Sequence, residues 1–192
     1  MPTRSIQDTA PIYQLKITLR EIRPPIWRRV LTPGAVSLHK VHKIIQIVMG
    51  WMDCHLHCFT VDGVTYSYPE PDSDWEDSGD LDSRRVKLMQ IAPQARRKFL
   101  YEYDFGDTWE HDILVEKILP PEPGAKYPVC VAGKRACPPE DVGGVWGYAE
   151  FLKAIRDPEH REHASYLEWL GRPFDPEAFD LEGVNQLLRR IR

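Results

Sequence analysis

Histidine and cysteine, two side chains that commonly bind transition metals, are concentrated in the segment Cys54-His55-Leu56-His57-Cys58. In a regular strand, alternate side chains point to opposite faces, so His55 and His57 share one face and the two cysteines share the other. The four side chains then cannot all bind one ion, and a metal needs at least a third ligand from elsewhere in the chain. Two interpretations stay open: the histidines either find hydrogen-bond partners in the core or form a site at its rim.

Carboxylate and imidazole groups are concentrated again between Asp104 and His111. A carboxylate beside an imidazole suits general acid–base catalysis or the orientation of a metal ligand, although a hairpin turn and a sheet-packing tryptophan need the same residues. A loop rich in proline and glycine adds two further carboxylates. The candidate functional cluster is therefore His55, His57, Asp107, His111, Glu140 and Asp141.

Zinc or another divalent metal is the cofactor that these residue types imply. The candidate metal ligands are His55, His57, His111, Cys130 and Cys137. Six residues separate the last two cysteines, unlike the two to four of a zinc knuckle, so this spacing favours buried thiols and leaves zinc ligands as the alternative.

Charge is distributed unevenly along the chain. Residues 11–50 carry seven Lys or Arg and one acidic residue, whereas the whole chain has a net charge of -4, which excludes a generally basic nucleic-acid-coating protein. A local basic patch suited to phosphates would consist of Arg20, Arg23, Arg28, Arg29, Lys40 and Lys43. Scattered cations on solvent-facing surfaces would give the same sequence pattern.

The composition predicts a single folded domain, over residues 11–192, after a mobile leader at residues 1–10. With 192 residues, 42% of them apolar, the chain can form a core, which excludes fibrous and wholly disordered classes. Apolar runs are too short for a membrane span, and Met1-Pro2-Thr3-Arg4 does not lead into a signal-peptide-like stretch. Four cysteines are too few for a disulfide scaffold, which predicts a cytoplasmic protein.

Local patterns predict strands in the first part of the chain. Alternation marks a strand over 13–19, and the segment 26–31 predicts a second strand, placed near an edge by its neighbouring prolines. Ser37 is a typical N-cap for a helix over 38–49, with His39, His42 and Gln46 mainly on its solvent side. Asp62-Gly63 predicts a tight hairpin in which Val61 lies opposite Val64, Phe59 opposite Tyr66, and His57 opposite Tyr68.

Further strands are predicted over 99–103 and 109–119, with solvated or structured loops over 69–82 and 120–147. The last quarter is predicted to be helical, with Asp157-Pro158 and Asp175-Pro176 as helix starts, Gly171 as a C-cap and a final amphipathic helix from 181 to 191. Together these elements predict an α+β fold: a mostly antiparallel sheet with one inserted amphipathic helix and a C-terminal helical segment packed on it.

Several long segments, in a fixed order, resemble the plasmid pRiA-type ORF-3-like family, which includes insertion-sequence passenger proteins labelled TnpR. They are Ile22–Arg29, Gly50-Trp51 with His55–His57, Tyr101–His111, Ala136–Tyr148 and Phe174–Asp180. The resemblance implies mobile-element ancestry. Cysteine is frequent in the family at the position of Val142, so a zinc site that needs this thiol would have to be completed here by a histidine.

The TnpR label implies a resolvase, but the residues favour no recombinase catalysis. Arg4-Ser5-Ile6-Gln7 only faintly resembles a serine-recombinase motif, and no Arg/His/Arg/Tyr set of a tyrosine recombinase is found. Phosphate-binding loops, dinucleotide fingerprints, His-Glu-x-x-His and Gly-x-Ser-x-Gly are also missing. The sequence therefore favours a non-enzymatic binding or accessory module that contacts nucleic acid or a protein partner. The alternative is a metal-binding, hydrolase-like protein that uses the His/Asp/Cys cluster.

Overall fold

A computed structural model describes residues 10–69 and 79–191 of the chain. Residues 1–9 of the predicted leader, and residues 70–78 of the loop predicted over 69–82, lie outside the described residues. None of the described helices is long and apolar enough to cross a membrane.

The described strands form one mixed sheet. Their bounds are β1 Ile12–Leu19, β2 Trp27–Pro33, β3 His57–Val61, β4 Val64–Ser67, β5 Leu81–Asp82, β6 Lys98–Tyr103, β7 Trp109–Leu119 and β8 Val129–Lys134. The spatial order is β5-β4-β3-β6-β7-β1-β2-β8, and every neighbouring pair is antiparallel except β4 and β5. The predicted α+β class with a mostly antiparallel sheet is confirmed.

The described helices are α1 Leu38–Met49, α2 Leu88–Ile91, α3 Gly144–Arg156, α4 His163–Leu170 and α5 Leu181–Leu188, and a 3₁₀ turn follows at Arg189–Ile191. Helix α1 begins and ends where the sequence predicts. The Ser37 hydroxyl accepts a hydrogen bond from the Lys40 N–H, and Gly50 ends the helix in the left-handed conformation that glycine adopts without strain. The apolar stripe of α1 packs into the same core as alternate residues of β1, β3, β6 and β7.

The hairpin of β3 and β4 has the predicted register, with Val61 opposite Val64 and Phe59 opposite Tyr66. Asp62 and Gly63 both have positive φ, as a tight two-residue turn requires. Because β3 also pairs with β6, Phe59 lies opposite Tyr101 and His57 opposite Tyr103. This pairing places the His55–His57 segment beside the turn that follows β6.

Two predicted helix starts are wrong. The carboxylate of Asp157 accepts a hydrogen bond from the Glu159 N–H, and that of Asp175 accepts one from the Glu177 N–H. Both therefore form local turns, an alternative that short polar side chains offer to helix capping. The helices begin later, at His163 and Leu181, whereas the predicted C-cap at Gly171 is confirmed.

Other local predictions differ from the structure. Strand β8 forms within the region predicted as a loop and pairs with β2, which lies near an edge of the sheet, as predicted, but second from it. Helix α3 begins at Gly144, inside the same loop prediction. The side chains of His42 and Gln46 are buried against the sheet, with 1% and 2% exposure, instead of facing solvent.

Candidate metal centre

Three chain segments meet at the end of β6. The backbone N–H of Asp104 donates a hydrogen bond to the carbonyl of Leu56 at 2.9 Å, which joins the turn after β6 to the segment before β3. The indole N–H of Trp51 donates to the carbonyl of Pro138 at 3.0 Å and brings in the loop after β8. These contacts place His55, Asp104 and the loop carboxylates of Glu140 and Asp141 side by side.

The imidazole of His55 faces three carboxylates. Its Nε2 atom lies 3.2 Å from Asp141 Oδ1, 3.7 Å from Asp104 Oδ2 and 3.9 Å from Glu140 Oε2. We call these four residues the candidate metal centre. The donors form two groups that share His55, one with Cys54 and Glu140 and the other with Asp104 and Asp141, and within each group the ligating atoms all lie within 4.8 Å of one another.

The second oxygens of two of these carboxylates are held by the fold. Asp104 Oδ1 accepts hydrogen bonds from the backbone N–H groups of Gly106 and Asp107. Glu140 Oε1 accepts from the Met52 N–H at 2.7 Å and from the Tyr103 hydroxyl at 3.2 Å. These contacts fix both side chains with Asp104 Oδ2 and Glu140 Oε2 directed at His55.

The atoms that face the centre lack partners. His55 Nε2 and Glu140 Oε2 are buried and make no hydrogen bond within the part of the chain that the structure describes, and the Glu140 side chain is only 9% exposed. No Lys or Arg among residues 10–69 and 79–191 forms an ion pair with Asp104, Glu140 or Asp141. Converging carboxylates without a cation are unfavourable, because buried charge needs compensation.

The donor set fits a divalent transition metal. One imidazole and several carboxylates suit zinc, manganese or ferrous iron, whereas calcium and magnesium prefer oxygen ligands alone. Ligands placed about 2.1 Å from a tetrahedral zinc lie roughly 3.4 Å apart. The separations of 3.2, 3.7 and 3.9 Å from His55 Nε2 are close to that spacing.

A second group of polar residues, which we call the histidine network, lies next to the candidate metal centre. It consists of His42, Lys43, Gln46, Asp53 and Tyr101. His42 Nε2 lies 2.6 Å from Asp53 Oδ1, and His42 Nδ1 lies 2.8 Å from the Tyr101 hydroxyl. Because an ionised carboxylate only accepts hydrogen bonds, His42 donates through Nε2 and accepts from Tyr101 through Nδ1.

The remaining contacts close the histidine network. Gln46 donates to the Tyr101 hydroxyl at 3.0 Å and accepts from the Asp53 N–H at 3.0 Å. Lys43 pairs with the second carboxylate oxygen of Asp53. Burial favours the protonated form of Asp53, but the hydrogen bonds from His42 and Lys43 outweigh it and lower the pKa of Asp53 to about 2.

His57 lies on the other face of His42. The two imidazole rings stack with centroids 3.4 Å apart and an interplanar angle of 2°. Burial, followed by the charges of His42 and His39, lowers the pKa of His57 to about 2. His57 is therefore neutral in the folded protein and is not part of the candidate metal centre.

The other residues predicted for the site lie elsewhere. His111 is fully buried, donates through Nδ1 to the Trp109 carbonyl and packs edge-on against Trp51. Asp107 accepts a hydrogen bond from the Gly143 N–H at 3.1 Å and so joins the turn to the start of α3. Among the described residues neither belongs to a group that could hold a metal ion.

Cys130 and Cys137 are also separate from the candidate metal centre. Cys130 lies in β8, where Asn185 bonds to its backbone and its thiol contacts the Ala132 carbonyl. Burial raises the pKa of both thiols, which disfavours the thiolate that binds metals. All four cysteines are free.

The predicted basic patch is mostly compensated within the fold. Arg28 is 1% exposed and donates to the carbonyls of Val48, Trp27 and Lys134, so it is inaccessible to nucleic acid. Arg20 pairs with Glu110 and Asp112, Arg29 with Glu116, and Lys43 with Asp53. Arg23 and Lys40 form no ion pair with any described residue.

Seven residues in or beside these two groups lie outside the candidate cluster that the sequence predicts. They are His42, Lys43, Gln46, Asp53, Cys54, Tyr101 and Asp104. The spacing of His42 and Gln46 one helical turn apart signals a shared face, but their polarity suggested solvent. Asp104 lies in the segment Tyr101–His111 that resembles the family. Only the left-handed turn at this residue, with φ of 58°, directs its carboxylate towards His55.

The chain is similar over most of its length to two other proteins. A protein of Sinorhizobium fredii, "Uncharacterized protein y4hQ", is 40% identical over 179 residues, which cover 92% of this chain and 90% of the relative. The crystal structure of a protein of unknown function, MM3350 from Methanosarcina mazei Go1, matches with a TM-score of 0.81 and 39% identity over 91% of this chain and 98% of that one. The family model described as plasmid pRiA4b ORF-3-like protein matches residues 11–183, and the chain therefore belongs to the plasmid pRiA4b ORF-3-like family.

Proposed function

We propose that the protein binds a divalent transition metal ion, zinc or manganese, through His55, Asp104, Glu140 and Asp141. The observation that carries this proposal is the buried, unbonded pair of atoms His55 Nε2 and Glu140 Oε2, which face two more carboxylates without any Lys or Arg partner among the described residues. A bound cation would compensate this charge and supply the missing partner to both atoms.

A metal at this place suits hydrolytic chemistry. A divalent metal lowers the pKa of a bound water and so supplies a hydroxide near neutral pH. The Asp141 side chain is 66% exposed, which would leave an ion accessible from that side, while the buried Asp104 and Glu140 would hold it from within. Burial and the Glu140 carboxylate raise the pKa of Tyr103, so its hydroxyl remains a hydrogen-bond donor to Glu140.

The alternative of a non-enzymatic, nucleic-acid-contacting module of mobile-element ancestry has less support. Of its six predicted contact residues, one is buried and three are paired with carboxylates of the same chain. A phosphate backbone would have to displace those carboxylates, at a cost in binding free energy. Arg23 and Lys40 alone offer too little charge for tight binding.

Metal analysis tests the proposed function. Protein prepared without a histidine tag or chelator is analysed for bound elements, and metal-free protein is titrated with zinc and with manganese. We expect about one ion per chain and a loss of at least about 100-fold in affinity for His55→Ala, because a direct ligand should matter more than the roughly 10–100-fold of outer contacts.

His160→Ala is the matched control, since His160 lies outside every potential metal-binding group of the described chain. It should bind metal as the wild type does. A wild-type protein that takes up neither metal, or an equal loss of affinity in both variants, would overturn the proposal.

A further inference from the structure

We propose that the cavity next to the candidate metal centre binds an oxyanion, a phosphate or carboxylate group. The assignment of this oxyanion to a substrate of the metal rests on the proposed function. Binding of the oxyanion itself is measured separately. We call this cavity the histidine pocket; its volume is about 640 Å³, and its walls include His39, Lys43, His57 and Tyr68. This volume suits a small ligand.

The histidine pocket and the candidate metal centre share a wall. Cys54 and His55 line the pocket, and the same two residues contribute donor atoms to the potential metal-binding groups. A ligand in the pocket therefore lies against a residue that would hold the ion. A substrate bound there would present its reactive bond to the ion or to a water bound by it.

Two hydrogen-bonding atoms in the pocket wall are unused. His57 Nε2 is buried and makes no hydrogen bond to any described residue, and His57 as a whole is only 7% exposed. His39 Nδ1 is buried and unbonded in the same part of the structure. The two rings have centroids 6.3 Å apart, so one small group can reach both. Buried polar atoms are seldom left unbonded in folded proteins, which points to a ligand.

The charged groups of the pocket favour a ligand rich in acceptors. Both oxygens of Asp53 are already occupied, one by His42 and the other by Lys43. Lys43 has three N–H donors and is 39% exposed, so it can donate further into the pocket. The guanidinium of Arg84 lies over the Tyr68 ring, 5.0 Å from its centroid, and pairs with the Asp82 carboxylate, so Lys43 is the main donor of positive charge to the pocket.

The experiment titrates metal-free and zinc-loaded protein with inorganic phosphate and, separately, with acetate. Binding is followed through the NMR signals of the His39 and His57 imidazole C–H groups. We expect both signals to move with saturation, and the affinity to fall at least about tenfold in Lys43→Gln and in His39→Phe. The comparison of phosphate with acetate identifies the preferred oxyanion.

Lys40→Gln is the matched control, because Lys40 lies on the same helix, does not line the pocket and forms no ion pair with a described residue. It should bind phosphate and acetate as the wild type does. Circular dichroism confirms that each variant is folded.

The outcomes separate the two proposals. Metal uptake without any movement of the His39 and His57 signals would overturn the oxyanion site and leave the metal centre standing. Oxyanion binding by a protein that takes up no metal would overturn the metal centre and leave the oxyanion site standing. Equal affinity in the wild type and Lys43→Gln would place the anion elsewhere and overturn the oxyanion site as well.

Discussion

The candidate metal centre and the histidine network contain the same types of side chain, yet they differ in how completely these are bonded. In the network, both nitrogens of His42 and both oxygens of Asp53 have partners. In the centre, His55 Nε2 and Glu140 Oε2 are buried without a hydrogen bond to the described chain. Lys43 compensates the carboxylate of the network, whereas no described Lys or Arg pairs with the carboxylates of the centre.

This difference separates a structural group from a ligand-binding one. A closed set of hydrogen bonds stabilises the fold, and in the network only the half-exposed ammonium of Lys43 keeps N–H donors for a ligand. An incomplete set destabilises the isolated protein and is favourable only when something else completes it. An imidazole beside a carboxylate therefore does not by itself indicate a ligand-binding site. Whether the hydrogen bonds of both groups are complete decides between a structural and a ligand-binding role.

The largest expected effect is the loss of metal binding in Glu140→Gln. The amide oxygen can still accept from the Met52 N–H and the Tyr103 hydroxyl, but an NH₂ group replaces the oxygen that faces His55. We expect the affinity for zinc to fall more than about 100-fold, or about 2.7 kcal/mol, measured by competition with a chromophoric chelator.

Asp107→Asn provides the control for that variant. Asp107 is a carboxylate of the same turn, its acceptor oxygen bonds to the Gly143 N–H, and it belongs to no potential metal-binding group of the described residues. Its zinc affinity should stay within about threefold of the wild type. If Asp107→Asn loses as much zinc affinity as Glu140→Gln, the assignment of the metal to the candidate metal centre is wrong.

The histidine network should respond to mutation in the opposite way. Tyr101→Phe removes a buried hydroxyl that donates to His42 and accepts from Gln46, and leaves His42 Nδ1 and the Gln46 amide N–H without a partner. We expect the free energy of unfolding to fall by about 2 kcal/mol, with zinc affinity unchanged. Urea denaturation and the chelator competition measure the two quantities.

Tyr148→Phe is a matched control within the same chain. Tyr148 is also buried, but its hydroxyl makes no hydrogen bond to a described residue. Removal of this hydroxyl leaves no partner behind and should change the unfolding free energy by less than about 0.5 kcal/mol. A loss of unfolding free energy as large as that of Tyr101→Phe would show that the hydrogen bonds of the histidine network do not account for the effect of that variant.

Most of the fold follows from local patterns in the sequence. Alternation identified β1, and the Ser37 cap and apolar stripe identified α1. Strand β8 was not predicted, because Val129–Lys134 is short and lies among prolines and glycines, and its pairing with β2 stabilises it through distant contacts. The turns at Asp157 and Asp175 show that a capping residue followed by proline does not by itself begin a helix.

The site was less predictable than the fold. His55, Glu140 and Asp141 stood in the predicted cluster and do lie together, but their neighbours in that cluster do not. The separation of His55 from His57 depends on where β3 begins, since the chain is not yet an extended strand at His55. His42 was assigned to solvent because burial of a polar helix residue depends on partners such as Tyr101 and Asp53, which are distant in sequence or follow the helix.

The buried histidines make stability depend on pH. Burial lowers the pKa of His111 to about 3 and that of His57 to about 2, whereas both lie near 6.5 in the unfolded chain. Between pH 6.5 and 3 the unfolded state binds these protons and the folded state does not, so stability falls as the pH falls. Each group contributes about 1.4 kcal/mol per pH unit in that window.

His111→Leu should remove one such contribution, and the slope of unfolding free energy between pH 6 and 4 should decrease by about 1.4 kcal/mol per pH unit. Ile113→Val is the control: it removes a methylene group from the same strand, lowers stability at every pH and leaves the slope as it is. An unchanged slope in His111→Leu would mean that His111 is protonated in the folded state.

The smallest expected effect is a change in the free energy of unfolding whose sign shows whether the carboxylates of the candidate metal centre repel one another. In metal-free protein Asp141 lies beside the carboxylate of Asp104, so Asp141→Asn should remove repulsion and raise the unfolding free energy by a few tenths of a kcal/mol, since the side chain is largely exposed. Asp112 is exposed as well, but it pairs with Arg20 at 2.9 Å, so Asp112→Asn should lower the unfolding free energy by a similar amount. Urea denaturation of the two variants in chelator compares them directly, and a loss of stability in both would mean that the carboxylates of the centre are already compensated without a metal.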